Sequence, residues 1–328
     1  MAGDRILPHT LHISPDWRDL ISCPHCACHE KGFVIFKEES NLVECGSCGT
    51  CFAVNQGLIN FGVSDSFYDA HGFTSAGRNF SENGLDRLAL YYARGHHLFE
   101  ISQCVSAGSR VIELGCGGGS SFLASRYSML GVEISTSSVR SASLTYDSVV
   151  QATISSLPVA SASADAIISS FVLEHLADSE VETCLNEMAR VLKPEGKMIH
   201  YFDLDSDGPF FSWARKRSWY REIFVDSKGH HGLRKFDCWM KLFQTAGFDI
   251  LRKRFSGKTW LQDFSIWSAL DHPSVKGFPR VLGSWASRGG RKAGIAGAVA
   301  VTVADDLVRP FLPDNWGSKV IVCLKKQR

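Results

Sequence analysis

The stretch VIELGCGGGSS, residues 111–121, decides the fold, because it joins a short apolar run to a loop that is almost entirely glycine. Four glycines occupy the five positions from Gly115 to Gly119, and Glu113 stands two residues before them. Glycines after a strand let the backbone approach a ligand closely, and the amides at the start of a following helix then face that ligand. The stretch therefore predicts a strand, a ligand-binding loop and a helix.

Short β-rich runs alternate with helix-like segments around this loop. Strands are predicted at 110–114, 129–133, 148–152, 165–171 and 197–202. The segment 179–192 carries apolar residues three or four positions apart, which is the spacing of a helix with one buried face. Such alternation predicts βαβ units and an α/β fold with a doubly wound parallel sheet.

The later part of the chain predicts two more strands with an insertion between them. Residues 242–248 form a helix that Gly247 ends, a strand follows directly, and 319–325 is the last strand. About sixty residues separate these two strands, too many for a hairpin turn, so we expect a helical insertion there.

Composition sets limits on the function. The chain has 328 residues with 35 basic and 34 acidic side chains, so no whole-protein charge favours nucleic acid or an anionic membrane. The N-terminus has no apolar signal region, and the longest apolar run, 293–304, is too short to cross a bilayer. We expect a cytoplasmic protein without stable membrane insertion.

The glycine loop fits one class of ligand better than another. A dinucleotide fingerprint that starts at Gly115 would need a glycine where Ser120 stands. The pattern Glu113-x-Gly115-x-Gly117 resembles the first motif of class I S-adenosylmethionine-dependent methyltransferases, in which the acid lies near the cationic methionine moiety. A carboxylate there suits an ammonium and a sulfonium and would repel a pyrophosphate. The resemblance implies a Rossmann-like fold, S-adenosylmethionine as cofactor, and a cofactor loop that includes Gly115, Cys116, Gly117 and Gly119.

The resemblance continues along the chain. GVEIS (131–135) is similar to the second-strand end of the family, which implies that Glu133 accepts bonds from the ribose hydroxyls and that Ile134 packs on adenine. The segment 230–248 resembles the ubiquinone-biosynthesis-like branch. Thr153 stands where the family commonly has an aspartate that binds the adenine amino group, so the adenine contact would rest partly on the backbone around Ile154. The remaining cofactor contacts that the resemblance implies are Ser170, Tyr92 and Arg94, although Tyr92 and its neighbour Tyr91 could equally pack on the sheet.

A cysteine-rich segment precedes this region. Cys23 and Cys26 form one CxxC pair and Cys45 and Cys48 a second, which is the spacing of a four-cysteine structural zinc site. The segment that follows resembles the small zinc-ribbon domains that precede or partner some methyltransferases. An iron–sulfur cluster is a rival occupant, and the alternative ligands are His25, Cys28, His29 and Cys51.

Candidate catalytic residues lie after the later strands. His230 and His231 stand beside glycines on a predicted loop and have the best claim to the acceptor pocket, as general bases. His200 and Tyr201 at the fifth strand are further candidates, although His200 could instead pack inside the sheet. His175 lies in a turn common to the family, and we expect a structural role for it. Asp203 is the last of the candidate catalytic residues.

The substrate is open from sequence. Basic residues interleave with aromatics at 213–221 and 251–255, a pattern that can bind RNA. Many aromatics in and before the insertion could instead line an apolar pocket or form the core of a helical lid. We favour a small-molecule or natural-product acceptor over RNA methylation, with a non-catalytic binding protein as a third reading. The helix predicted at 294–313 is a lid element, a homodimer contact or a shallow membrane-surface element.

These observations divide the chain into five parts. They are an N-terminal extension (1–20), a zinc ribbon (21–62), a methyltransferase core (63–256), a helical insertion or lid (257–316) and the final core strand (317–328).

Overall fold

The computed structural model of the chain describes residues 11–26, 34–37, 41–63, 65–71, 96–260, 262, 264–288 and 290–327. The strands β1 to β11 are Val34–Lys37, Leu42–Cys45, Cys51–Asn55, Leu58–Asn60, Arg110–Leu114, Ser128–Glu133, Val149–Gln151, Ala164–Ser170, Leu192–Asp203, Phe248–Ser256 and Lys319–Lys326. The helices, numbered α1 to α12 among these residues, are Pro15–Arg18, Ser66–His71, His97–Cys104, Ser121–Ala124, Thr136–Ala142, Asp178–Val191, Pro209–Ala214, Tyr220–Phe224, Phe236–Thr245, Phe264–Ala269, Phe278–Arg288 and Gly290–Val308.

All described strands belong to one sheet, in the order β1-β2-β3-β4-β7-β6-β5-β8-β9-β11-β10. Strands β7, β6, β5, β8 and β9 pair in parallel, and β11 lies antiparallel between β9 and β10. This confirms the predicted doubly wound, Rossmann-like sheet with a helical insertion before the last strand. The strand order reverses at β5, and ligands of such sheets bind at the carboxyl ends of the strands beside this reversal.

Both faces of the sheet are covered, which explains the nearly continuous apolar runs of the central strands. On β5, Val111 belongs to one apolar layer, whereas its neighbours Ile112 and Leu114 belong to the layer on the other face. Helix α6 buries Val181, Leu185 and Met188 on that second face, as the sequence spacing predicts.

The N-terminal segment extends the same sheet. Strand β4 pairs in parallel with β7, where Ile59 lies opposite Val150, and strands β1 to β3 follow as an antiparallel ribbon. Trp17 is completely buried, and Ile21 forms a bridge with Val159 beyond β7. The predicted 21–62 unit therefore shares a sheet and an apolar core with the rest of the protein.

The insertion forms a helical layer beside the end of β9. Helices α10 to α12 lie within it. Trp260 and Trp267 pack on aromatic rings of α7, whereas Phe278, Trp285 and Phe311 are exposed. Asp306 of α12 accepts bonds from Arg254 (2.7 Å) and lies 2.6 Å from His96, which fixes this helix against the sheet. Within the described part of the chain, no helix has both the length and the apolar character needed to cross a membrane.

Candidate active site

The glycine loop lies at the carboxyl end of β5, where the sheet order reverses. Gly115, Gly117 and Gly119 have φ values of 61°, 54° and 73°, a region that other residues adopt at a cost. A Cβ atom on Gly115 would lie 2.6 Å from Cγ2 of Val172, in the loop that follows β8. The loop thus needs glycine both for its backbone conformation and for close packing against the neighbouring connection.

Glu133 ends β6 and points at the glycine loop. Its Oε2 accepts the Gly117 N–H (2.9 Å), and its Oε1 accepts the N–H groups of Ile134 (2.8 Å) and Ser135 (3.1 Å). Burial raises the pKa of this carboxyl, while the three backbone N–H groups act in the opposite direction. Glu133 thereby connects the ends of two adjacent strands, and Oε2 keeps capacity for one more donor.

Glu113 lies beneath the loop and is held by a tyrosine that sequence reasoning missed. Tyr146 donates its hydroxyl hydrogen to Glu113 Oε2, and the Ser120 N–H donates to the Tyr146 oxygen at 3.0 Å. Burial, followed by the charge of Glu113, keeps the pKa of Tyr146 well above its usual range. The phenol therefore stays protonated and ties the acid to the start of α4. No sequence motif marks Tyr146 for this role.

The residues expected around adenine lie after β7. Thr153 accepts a hydrogen bond from the Ser155 N–H (3.3 Å), and its hydroxyl lies 3.0 Å from the Ser155 hydroxyl, so the side chain serves its own loop. Ile154 is partly buried against the core. Gln151, which the sequence analysis did not single out, donates to the Ile134 carbonyl (3.0 Å) and holds the β6 and β7 ends together.

Helix α2 crosses over these strand ends. Asp69 accepts the Thr136 N–H (2.8 Å) at the β6 end, and the Tyr68 ring lies 6.0 Å from the ring of His175 at the β8 end. Burial and the charges of Asp65, Glu133 and Glu174 raise the pKa of Tyr68 to about 12. Tyr68 thus covers the space between the two halves of the site, a placement that helical periodicity alone could not reveal.

A second polar cluster lies at the ends of β8 and β9. Glu174 and His175 follow β8, Asp203 ends β9, and His230 lies on the later loop with its ring 5.1 Å from that of His175. His175 Nδ1 donates to the Gly229 carbonyl (2.9 Å). Burial lowers the pKa of both His175 and His230 to about 4, so both rings are neutral near pH 7. Burial, followed by the charge of Asp203, raises the pKa of Glu174.

The other predicted catalytic residues have different surroundings. His231 is exposed. His200 is completely buried in the sheet, 2.7 Å from the Ser169 hydroxyl, and burial lowers its pKa to about 3. Tyr201 packs on the opposite face against Phe171, with 4.7 Å between ring centroids.

Three further predicted contacts complete the set. Ser170 ends β8 and is half-buried at the same strand edge as the glycine loop. Tyr92 and Arg94, like Tyr91, lie outside the described residues.

The structure brings the four predicted cysteines together. Their sulfur atoms all lie within 4.8 Å of one another, with 3.8 Å between Cys23 and Cys48 and 3.7 Å between Cys26 and Cys45. His25 packs edge-on against Phe52 instead of joining the cluster. Cys51 donates to the Gly49 carbonyl, and Cys28 and His29 lie outside the described residues.

Comparison with known proteins agrees with this architecture. Residues 112–200 match the family model of a methyltransferase domain. The matched region runs from β5 to β9 and includes the glycine loop, Glu133 and Glu174. No curated protein sequence matches the chain.

Two solved structures are similar in fold. Haemonchus contortus phosphoethanolamine N-methyltransferase 2, in complex with phosphomonomethylethanolamine and S-adenosylhomocysteine, is 15% identical with a TM-score of 0.50. The match covers 80% of this chain and 59% of that enzyme. A Galdieria sulphuraria protein assigned as a sarcosine dimethylglycine methyltransferase is 16% identical with a TM-score of 0.50, over 78% of this chain and 92% of that one. The chain thus has the fold of these methyltransferases.

Proposed function

We propose that the protein is an S-adenosylmethionine-dependent methyltransferase that acts on a small-molecule acceptor. The observation that carries the proposal is the contact between the Glu133 carboxylate and the glycine loop at the strand-order reversal, inside the segment that matches a methyltransferase domain. A carboxylate at this position suits ribose hydroxyls, which are donors, and does not suit a phosphate.

The residues present fit this cofactor. The bare backbone from Gly115 to Gly119 would let a ligand approach the loop closely, and a Cβ on Gly119 would lie 3.1 Å from Thr145, so glycine also allows the loop to pack on the connection after α5. Glu133 would hold the ribose through the remaining capacity of Oε2, and Ile134 is half-exposed beside it for apolar contact with adenine. Glu113 would place negative charge under the methionine end. S-adenosylmethionine supplies a methyl group on a cationic sulfur.

The protein's own residues would orient the reactants and exclude water. Alignment of a nucleophile with a reactive carbon supplies much of the acceleration in a displacement reaction. Helix α2 would close over the site through Asp69 and Tyr68. The acceptor would lie between the glycine loop and the polar cluster of Glu174, His175 and His230, because Val172 connects these two features.

The charge distribution supports a small acceptor over RNA. On β10, Arg254 pairs with Asp306 (2.7 Å) and Arg252 with Glu100 (3.5 Å). Arg215, in the other basic and aromatic stretch, pairs with Asp205 at 2.6 Å. Basic side chains that are neutralised internally offer little attraction to phosphates.

The N-terminal cysteines would hold a structural zinc ion. Tetrahedral zinc with sulfur at about 2.3 Å places its ligands about 3.8 Å apart, and the two closest sulfur pairs are separated by 3.8 and 3.7 Å. Four thiolates leave no open position, so the metal would stabilise the 21–62 segment and not react. A homodimer and a cytoplasmic location stay predictions.

The test has two stages. Calorimetry with S-adenosylmethionine measures whether the cofactor binds. Failure to bind would favour the hypothesis of a non-catalytic binding protein. Methyl-labelled cofactor is then incubated with protein and host extract, which is separated into small-molecule, lipid, RNA and protein fractions. Label in small molecules is the expected result, whereas label in RNA would overturn the proposed acceptor.

A further inference from the structure

The strongest feature outside the proposed active site is a pair of thiols between helix α3 and strand β11. Cys104 is the last residue of α3, and Cys323 lies within β11. The Cys323 thiol donates to the Cys104 sulfur, with 3.1 Å between the two sulfur atoms. We propose that this pair is an oxidative modification site, at which hydrogen peroxide converts the two thiols into a disulfide that a thiol reductant reverses. The inference goes beyond methyl transfer and does not depend on it.

The fold brings the two sulfur atoms together from distant parts of the chain. The cysteines are 219 positions apart in sequence, and β11 lies inside the sheet between β9 and β10. Cys323 belongs to the same apolar layer as Val111, and Cys104 packs against that layer. A disulfide bond is about 2.05 Å long, so the two sulfur atoms would have to close by about 1 Å. Cys104 ends its helix, and helix ends fray, so a movement of this size is accessible.

The two thiols differ in exposure and in acidity. Cys104 is half-buried, whereas Cys323 is only 1% exposed, so a small oxidant from the solvent meets Cys104 first. The hydrogen bond from Cys323 is the main cause that lowers the pKa of Cys104 to about 7. The same contact, followed by burial, raises the pKa of Cys323. Because the thiolate is the nucleophilic form, Cys104 is the attacking cysteine and Cys323 the one that resolves the intermediate.

Charged side chains surround Cys104. Lys197 Nζ donates to the Cys104 carbonyl at 2.6 Å and so offsets the negative end of the helix. Arg252 lies beside the thiol and pairs with Glu100 at 3.5 Å. Both cations lower the pKa of the Cys104 thiol, whereas burial and Glu100 raise it. Reactive cysteines characteristically lie in partly exposed surroundings of this kind, next to lysine or arginine.

Two other cysteines of the described chain show the contrast. Cys116 and Cys184 are buried in the core. Burial raises the pKa of the Cys184 thiol to about 12 and that of the Cys116 thiol well above its usual value. Such thiols stay protonated near neutral pH and are inert. The surroundings of Cys104 therefore fit a reactive thiol better than a packing residue.

The oxidation balances with hydrogen peroxide as the oxidant. The Cys104 thiolate attacks one peroxide oxygen, an S–O bond forms while the O–O bond breaks, and the departing hydroxide takes a proton to become water. The product is a sulfenic acid on Cys104. The Cys323 sulfur then attacks the Cys104 sulfur, the S–S bond forms while the S–O bond breaks, and hydroxide leaves with the Cys323 proton as water. Two thiols and one hydrogen peroxide thus give one disulfide and two waters.

Peptide mapping by mass spectrometry tests the site, because trypsin isolates the relevant cysteines. Cleavage after lysine and arginine releases Cys104 alone in residues 95–110, Cys323 alone in 320–325 and the exposed Cys238 alone in 236–241. The whole, reduced chain is treated with hydrogen peroxide, alkylated and digested without reductant. We expect peptides 95–110 and 320–325 joined by a disulfide, and their separation after dithiothreitol treatment.

Two single variants separate the attacking cysteine from the resolving one. In Cys323→Ser the hydroxyl can still donate to the Cys104 sulfur, so we expect oxidation to stop at a Cys104 sulfenic acid, which dimedone labels. In Cys104→Ser we expect Cys323 to stay a thiol, because it is buried. Cys238→Ser is the matched control and should form the disulfide as the wild type does. Circular dichroism and thermal melting verify that each variant is folded.

The exposed Cys238 also shows whether the oxidant was effective. A wild type in which Cys104 and Cys323 both stay reduced while Cys238 is oxidised overturns the proposal. A disulfide that joins Cys104 to a cysteine other than Cys323 also overturns it. Dimedone labelling of Cys323 in folded Cys104→Ser, without labelling of Cys104 in folded Cys323→Ser, overturns the proposed order of attack. No outcome depends on cofactor binding, so failure of the methyltransferase proposal leaves this test unaffected.

Discussion

Replacement of Glu133 by glutamine separates cofactor binding from the integrity of the loop. In the wild type the carboxylate accepts three backbone N–H groups, from Gly117 at 2.9 Å, Ile134 at 2.8 Å and Ser135 at 3.1 Å. The glutamine oxygen can keep the last two, but an NH₂ group then faces the Gly117 N–H. One charge-assisted bond to the protein is lost, together with the charged acceptor for a ribose hydroxyl.

The magnitude follows from these contacts. A hydrogen bond to a charged group contributes about 1.5–3 kcal/mol, and every 1.4 kcal/mol is a tenfold change in affinity. Glu133→Gln should therefore weaken S-adenosylmethionine binding by about 10- to 100-fold. The neutral amide also avoids the burial cost that raises the pKa of the wild-type carboxyl, which offsets part of the lost bond to Gly117. We expect only a small change in melting temperature.

Calorimetry with S-adenosylmethionine, at several pH values, measures both effects. Since burial raises the pKa of Glu133, wild-type affinity should fall as the pH decreases through that pKa, whereas the variant has no carboxyl to protonate and should show a flatter profile. Glu182→Gln, at an exposed position on α6, is the control for removal of one charge. A folded Glu133→Gln protein with wild-type affinity would refute the ribose contact and leave Glu133 as a loop anchor alone.

Three other changes test separate parts of the structure. Cys45→Ser should lose about one bound zinc per chain and melt at a lower temperature, as measured by metal analysis and calorimetry. Cys51→Ser, at an exposed position outside the four-cysteine cluster, should keep the zinc content and the melting temperature of the wild type. A folded, zinc-free wild type would contradict this. Gly115→Ala adds a methyl group 2.6 Å from a valine side chain and should lower cofactor affinity and stability by about 1–3 kcal/mol. Gly108→Ala is the control, because Gly108 also has a positive φ but open space around it, and its loss of stability should be smaller. Equal losses of stability would show that backbone strain alone matters. Burial lowers the pKa of His200 to about 3, so as the pH falls this side chain is protonated in the unfolded chain before it is protonated in the folded one. The unfolding free energy should therefore fall by up to about 1.4 kcal/mol per pH unit below about pH 6. Urea titrations of His200→Met at several pH values should show a weaker dependence of the unfolding free energy on pH.

The sequence predicted the parts of the fold that depend on local patterns. The strand at Arg110–Leu114 has the predicted bounds, and the helix predicted at 179–192 lies one residue earlier, at Asp178–Val191. The predicted fifth strand is longer in the structure, Leu192–Asp203, because pairing with β8 begins before the proline-containing turn. Glycine spacing and apolar periodicity are local patterns, so a single sequence is enough to detect them.

The site depends partly on contacts between distant segments, which no local pattern encodes. Tyr146 reaches Glu113 from another connection, and Tyr68 reaches His175 from a helix about a hundred residues away. The sequence predicted only half of the cluster of Glu174 with His230, since His230 was a candidate base while Glu174 was not a candidate. Burial, which makes Glu174 chemically informative, cannot be read from its neighbours in sequence.

The N-terminal cysteine segment contacts the region of the proposed cofactor site through the sheet edge. Without β4, strand β7 would be an edge strand with unpaired backbone groups, and such edges invite pairing with other chains. The loop that follows β7 carries Thr153 and Ile154, and its Ser156 hydroxyl donates to the Pro24 carbonyl at 2.8 Å, next to Cys23. Loss of the proposed zinc ion should therefore loosen the loop that carries Thr153 and Ile154 more than it loosens the glycine loop. A structural zinc ion at the four cysteines would thereby support the proposed methyl transfer by fixing one wall of the proposed cofactor pocket.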